Sequence, residues 1–135
     1  MAGVLLLQNK TSQSLDNFNK KTDRIKRYAL NKFSPHFKKI QFKQPSDNTF
    51  LMLFQKDNNE KFSRDNEGNW LAFEGVVYAL NETKKFNAKE LLEFYKMNKD
   101  DFPNLLDGHF VIKLYDSRRC EILVLNDFIK NKTNF

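Results

Sequence analysis

The sequence predicts an α+β fold with a largely antiparallel sheet. β-favouring apolar runs stand near both ends of the chain, and helix-like patterns lie between them. The length of 135 residues predicts a single domain over 1–135, since independent domains usually have about 100–150 residues. Because 40% of the residues are hydrophobic, including 14 Phe, the chain can bury a core.

The first part of the chain predicts a strand, a helix and a second strand. Residues 2–8 form an apolar run without polar alternation, which is typical of a strand buried on both faces. Residues 14–30 carry apolar side chains at helical spacing, so we expect a helix there. After a turn cluster at 45–48, the apolar residues 49–55 predict the next strand.

The middle of the chain predicts two more strands and a second helix. Residues 62–63 form a short strand, and 70–80 read as a buried strand. Gly75 interrupts the second run, and an interior glycine often marks a bulge or a close backbone approach. Asn87 and Glu90 have the spacing of a capping box, so a helix should follow directly.

The last part of the chain predicts a short helix and then a hairpin. The helix covers 100–106, with its proline in the first turn. The hairpin strands are 110–115 and 120–125, joined by a four-residue loop. Cys120 alternates in phase with the apolar residues that follow it, which indicates a small hydrophobic side chain in the core.

Positive charge is concentrated at the front of the chain. Residues 1–43 carry a net charge of +8, whereas the whole chain carries +6. Such a segment can bind nucleic acid or another polyanion through counterion release, although a solvated basic helix has the same composition. Lys38, Lys39 and Lys43 alternate with aromatic residues and could contact phosphates. An amphipathic edge strand with exposed lysines explains them better, so nucleic acid is not the expected partner.

The sequence offers little evidence for a membrane, a secretory signal or a metal. No apolar run approaches the roughly 20 residues that span a bilayer, and no signal peptide is recognisable at the N-terminus, so we expect a cytoplasmic protein. The single cysteine excludes an internal disulfide. His36, His109 and Cys120 lack the spacing of a known metal site, so neither a metal nor a cofactor is expected.

Four short strings, in chain order, resemble one known family. Residues 1–4 are similar to a Met-Cys-Gly-Ile opening, and 71–78 to a strand reading Phe-Asn-Gly-Glu-Ile-Tyr-Asn. Residues 105–111 and 123–127 resemble the strings Leu-Asn-Gly-Met-Phe-Ala-Phe and Ala-Arg-Asp-Arg. These strings occur in class II glutamine amidotransferase domains, especially those of asparagine synthetases. The resemblance implies the Ntn-hydrolase fold, a sandwich of antiparallel sheets flanked by helices, incomplete here at its C-terminus.

The resemblance also implies that the catalytic residues are lost. The family's nucleophilic cysteine corresponds to Ala2, whose methyl group cannot attack an amide. The Asn of the oxyanion site corresponds to Glu74, and only the backbone amide of Gly75 is retained. An Asp that holds the substrate's amino group corresponds to Asn87. No counterpart of the arginine that binds the substrate carboxylate is found between residues 33 and 55.

The resemblance therefore implies a pseudoenzyme that serves as a structural or binding module, in a biosynthetic pathway with a separate partner. The alternative is a basic α+β module that binds nucleic acid or another polyanion. An incomplete sandwich exposes a sheet edge, which predicts self-association or docking of a partner protein. The strand of Gly3 should lie beside the strand of Gly75. Glu74 either faces solvent or is paired, with a cationic ligand or with a basic residue of the front segment.

Overall fold

The computed structural model describes residues 3–9, 14–37 and 39–127. Two helices and two antiparallel sheets confirm the α+β class. The chain divides into two compact units, Met1–Asn58 and Asn59–Phe135, which are described separately. A single domain over 1–135 stays a prediction. Neither helix in the described part of the chain is long and apolar enough to cross a membrane.

The first unit is a helix with a three-stranded sheet. Its elements are β1 (Gly3–Gln8), α1 (Leu15–Phe33), a 3-10 helix (Ser34–His36), β2 (Lys39–Ser46) and β3 (Thr49–Gln55). The sheet has the order β1-β3-β2, and both strand pairs are antiparallel. β2 is therefore an edge strand, and it carries Pro45 where its pairing with β3 shifts register.

The helix α1 is fixed by a cap and by an apolar stripe. The Ser14 hydroxyl accepts the backbone N–H of Asn17 at 3.2 Å, which satisfies one free donor of the first turn. Phe18 and Ala29 are buried in one apolar cluster with residues of β3. The predicted helix is thus confirmed, with its end three residues further along the chain.

The predicted burial of β1 is wrong, although the strand itself is present. β1 lies at the edge of its sheet, and its side chains are half-buried or exposed, with Leu5 37% exposed. The central strand is β3, in which Leu51 and Leu53 are fully buried. Both strands are apolar except at their ends, so composition does not reveal which one is central.

The second unit is a four-stranded antiparallel sheet with one α-helix. Its elements are β4 (Phe62–Arg64), β5 (Trp70–Ala79), α2 (Ala88–Asn98), a 3-10 helix (Lys99–Leu105), β6 (Leu106–Asp116) and β7 (Glu121–Asn126). The sheet has the order β4-β5-β6-β7, in which each strand pairs with the next. Side chains from α2 and from β5 and β6 form one apolar cluster, which includes Phe73, Leu91 and Ile112.

The predicted hairpin is confirmed, but the position of Cys120 is wrong. Cys120 precedes β7, with a φ of 52°, and its side chain is exposed. It belongs to the turn between β6 and β7, so alternation along β7 does not extend to it. The predicted helix over 100–106 is a 3-10 helix, and residue 106 already begins β6.

Candidate functional site

Gly75 lies in β5 at a close approach to the backbone of β6. Its φ is +99°, and a Cβ at this position would overlap the backbone carbonyl of His109 on β6. Both the conformation and the space are therefore restricted to glycine. Of the two expectations for an interior glycine, a bulge or a close backbone approach, the close approach is confirmed, and the register of β5 with β6 is unbroken.

Glu74 turns its carboxylate toward the backbone of the next residue. The N–H of Gly75 donates to Oε1 of Glu74 at 2.9 Å. Glu74 is only 7% exposed, so the possibility that it faces solvent is wrong. A buried carboxylate is costly unless hydrogen bonds or a cation compensate the lost hydration. The Gly75 amide supplies part of that compensation.

Lys61 supplies the cation beside this carboxylate. Its Nζ donates to the carbonyl oxygen of Gly75 at 2.7 Å and lies 3.9 Å from Oε1 of Glu74. It also lies 4.5 Å from the ring centre of Phe73. The side chain of Lys61 is 1% exposed, so these contacts form away from water. The Lys61–Glu74 pair with the Gly75 backbone is called the β5 polar site below.

The segment that carries Lys61 is held by backbone hydrogen bonds. The carbonyl of Lys61 accepts the N–H of Phe73 at 2.9 Å, which aligns this residue with β5. The preceding carbonyl, of Glu60, accepts the N–H of Ala88 at 2.9 Å, at the first residue of α2. Lys61 is thus fixed between a central strand and the start of the helix.

Sequence reasoning missed Lys61. It ends the polar run 56–61, which resembles an ordinary hairpin connection. Lysine is almost never fully buried unless it is paired, so composition assigns such a residue to the surface. The available signal was the need of Glu74 for a cation, and the prediction placed that cation in the basic front segment 1–43, whereas Lys61 lies beyond it.

Asn87 acts as the cap of α2. Its side chain accepts the N–H of Glu90 at 2.9 Å, and the Glu90 carboxylate accepts the N–H of Asn87 at 3.0 Å. The predicted capping box is confirmed. Hydrogen bonds from the Lys84 ammonium and the Asn87 amide lower the pKa of Glu90 below its ordinary value. The Asn87 side chain is therefore committed to the helix terminus.

The remaining predicted positions divide between the two units. Ala2 and Lys38 lie outside the described residues. Gly3 begins β1, which pairs with β3, whereas Gly75 lies in β5, which pairs with β4 and β6. The expectation that these two strands are neighbours in one sheet is wrong. On the edge strand β2, Lys39 is exposed and Lys43 is half-buried.

A basic surface lies on α1. Lys20, Arg24 and Arg27 follow each other at helical spacing, on the face opposite buried Phe18 and Ala29. All three cations are exposed, and no ion pair to them is seen within the described residues. The set Lys20, Arg24 and Arg27 is called the α1 basic face below.

The described residues contain no group of three or more His, Cys, Asp or Glu side chains that could hold a metal ion. The Nδ1 of His109 lies 3.1 Å from Oδ2 of Asp127. His109 is 97% exposed at its side chain, so this contact is a surface pair. His36 is exposed in the 3-10 helix of the first unit.

The chain matches no known protein family, no curated protein and no solved structure in comparisons with each of these sets. The chemical capacity of the β5 polar site therefore follows from its geometry alone. An oxyanion site needs a donor aimed at the position where negative charge develops. The Gly75 amide already donates to the Glu74 carboxylate, and this carboxylate would repel a developing oxyanion.

Proposed function

We propose that this chain is a class II amidotransferase-like (asparagine synthase-like) domain of Ntn-hydrolase type without glutaminase chemistry. It acts as a structural or binding module beside a separate biosynthetic partner. The order of elements and the occurrence of two antiparallel sheets support the proposal. Among the described residues, β7 pairs only with β6, and this edge is where a partner or a second copy would add a strand.

One observation carries the proposal. In the resemblance, the backbone amide of Gly75 is the only retained donor for an oxyanion. In this structure that amide donates to the Glu74 carboxylate, and the Lys61 ammonium donates to the carbonyl oxygen of Gly75. The retained donor has thus become part of a buried polar contact. This change fits a domain that keeps its fold while the catalytic residues at positions 2 and 74 are replaced.

The test of the lost chemistry is ammonia release from glutamine. The unmodified protein and Ala2→Cys should both release no more ammonia than a buffer blank. The variant restores a thiol but leaves the Gly75 amide occupied by Glu74. Glutamine hydrolysis by the unmodified protein would overturn the proposal.

The family assignment needs a separate test, because inactivity alone fits many folds. A crystal structure should superimpose on a class II amidotransferase domain over each of the two sheets. Failure of the superposition for either sheet would refute the resemblance, whatever the assay for ammonia shows.

A second candidate function is polyanion binding, and the α1 basic face favours it. Three exposed cations on one helical face can each neutralise a phosphate and release a counterion. An oligothymidylate should then bind with an affinity that falls steeply with salt. Arg24→Gln with Arg27→Gln should weaken binding, whereas Lys89→Gln, at an exposed position of α2, should not. Absence of binding at low ionic strength would exclude this function.

A further inference from the structure

A small cavity lies in the second unit, between the end of α2, the 3-10 helix Lys99–Leu105 and β7. Its volume is about 160 Å³, equal to that of about five water molecules at ~30 Å³ each in the liquid. Its lining has an apolar part, called the floor below, and a charged part, called the rim. The floor includes Phe102, Pro103, Leu123 and Leu125, and the rim consists of Lys99, Arg119 and the acidic Asp100.

The floor of this cavity is apolar and accessible. Phe102 is 1% exposed and belongs to the core, whereas Leu123 and Leu125 are half-buried. Val124, which also lines the cavity, is 48% exposed. Apolar side chains left in contact with water gain free energy when an aliphatic group covers them. The cavity is too small for a drug-sized molecule, so a short aliphatic chain fits best.

The rim holds two cations whose present contacts are weak. Arg119 Nη1 lies 2.9 Å from Oδ1 of Asp100, but their side chains are 42% and 82% exposed. Such exposed pairs stabilise a fold little, so another carboxylate can replace Asp100. The Nζ of Lys99 lies 5.2 Å from the ring centre of Tyr95. Both ammonium and guanidinium groups therefore remain able to bind an anion.

Two further features define what the cavity can recognise. The Tyr95 hydroxyl donates to Asp116 at 2.6 Å in a buried contact, so it is not free to hold a ligand. Polar recognition is thus left to Lys99 and Arg119. Lys99 has a φ of 46°, a conformation that is uncommon for a residue other than glycine. Backbone strain of this kind often occurs at ligand sites.

We propose that this cavity binds a short aliphatic monocarboxylate. The carboxylate contacts Arg119 and Lys99, and the aliphatic end covers Phe102 and Leu125. The proposal depends only on the second unit, so it holds whether or not the amidotransferase resemblance is correct.

The probe is 4-methylpentanoate, titrated into the full chain and followed by ligand-observed NMR. We expect saturable binding, and binding at least about tenfold weaker for 4-methylpentanamide, which has the same shape without the charge. Arg119→Gln should weaken binding to a similar extent. The matched control is Arg118→Gln, which removes the same charge one residue away, where the guanidinium lies 3.6 Å from Glu67 instead.

A variant with increased affinity is included because misfolding can weaken binding but cannot strengthen it. Asp100→Asn removes the carboxylate that competes for Arg119, so 4-methylpentanoate should bind severalfold more tightly. Asp101→Asn changes the net charge equally without touching the cavity lining, and should leave the affinity unchanged. The proposal is overturned if 4-methylpentanoate does not bind saturably, or if 4-methylpentanamide binds equally well. It is also overturned if Arg119→Gln and Arg118→Gln change the affinity equally, or if Asp100→Asn and Asp101→Asn do.

Discussion

Removal of the cation from the β5 polar site should destabilise the second unit strongly. Lys61→Met keeps a chain of similar length against the Phe73 ring but removes the charge 3.9 Å from Glu74. It also removes the hydrogen bond to the Gly75 carbonyl. Since Lys61 and Glu74 are 1% and 7% exposed, water cannot replace the lost partner. Breaking a buried pair in this way costs about 3–5 kcal/mol, a large fraction of the roughly 5–15 kcal/mol by which domains are stable.

The assay is urea unfolding at pH 7, followed by fluorescence of the single tryptophan. Trp70 lies in β5 and is 4% exposed, so it reports on the strand that carries the site. Lys84→Met is the control, because Lys84 pairs with Glu90 at the surface, where 77% of its side chain is exposed. The control should unfold at nearly the same urea concentration as the unmodified protein.

The double variant separates the buried pair from a general packing defect. Glu74→Gln removes the carboxylate charge that faces Lys61, so the two substitutions together should cost at least about 1 kcal/mol less than the sum of their separate costs. Strict additivity, or a Lys61→Met variant as stable as the Lys84→Met control, would refute the reasoning.

Three further predictions concern the backbone and the buried tyrosine. Gly75→Ala should cost more than about 2 kcal/mol, because strain and overlap with a neighbouring carbonyl add up. Gly68→Ala has a similar φ, and its Cβ would lie at an ordinary contact distance of 3.7 Å from the Cβ of Ser117, so it should cost only the strain of about 1–2 kcal/mol. Asn87→Ala should lower the free energy of unfolding by about 1 kcal/mol, and Asn87→Asp should retain the cap; equal losses would contradict the capping role. Burial and the hydrogen bond to Asp116 raise the pKa of Tyr95 to about 12 from 10.0. The resulting stabilisation is complete below about pH 10 and is lost as the pH rises toward 12. A phenolate absorbance titration, with Tyr95→Phe subtracted, should place this ionisation near pH 12 rather than 10.

Most of the secondary structure could be predicted from local sequence patterns. The capping box at Asn87 specifies the first turn of α2 through contacts three residues apart, so no tertiary contact is needed to recognise it. The hairpin of β6 and β7 also depends on neighbouring runs and a short turn. In the same way, Gly75 was recognisable as a close backbone approach because only glycine lacks the Cβ that would collide there.

Tertiary structure decided the features that depend on partners distant in the chain. Cys120 is exposed because it lies in the turn, one residue before β7 begins. The alternation of apolar residues does not show where the turn ends and the strand begins. β1 is an edge strand because β3 occupies the centre of its sheet, although both are equally apolar in sequence.

The β5 polar site shows the same division most clearly. The sequence by itself established that Glu74, in an apolar strand, requires compensation, since an isolated buried carboxylate is costly. It could not identify Lys61, because the contact joins residues 13 positions apart and depends on the pairing of the 61–64 segment with β5. Charge balance is a property of composition, whereas the pairing of two buried charges depends on the distance between them, and only the folded chain sets that distance.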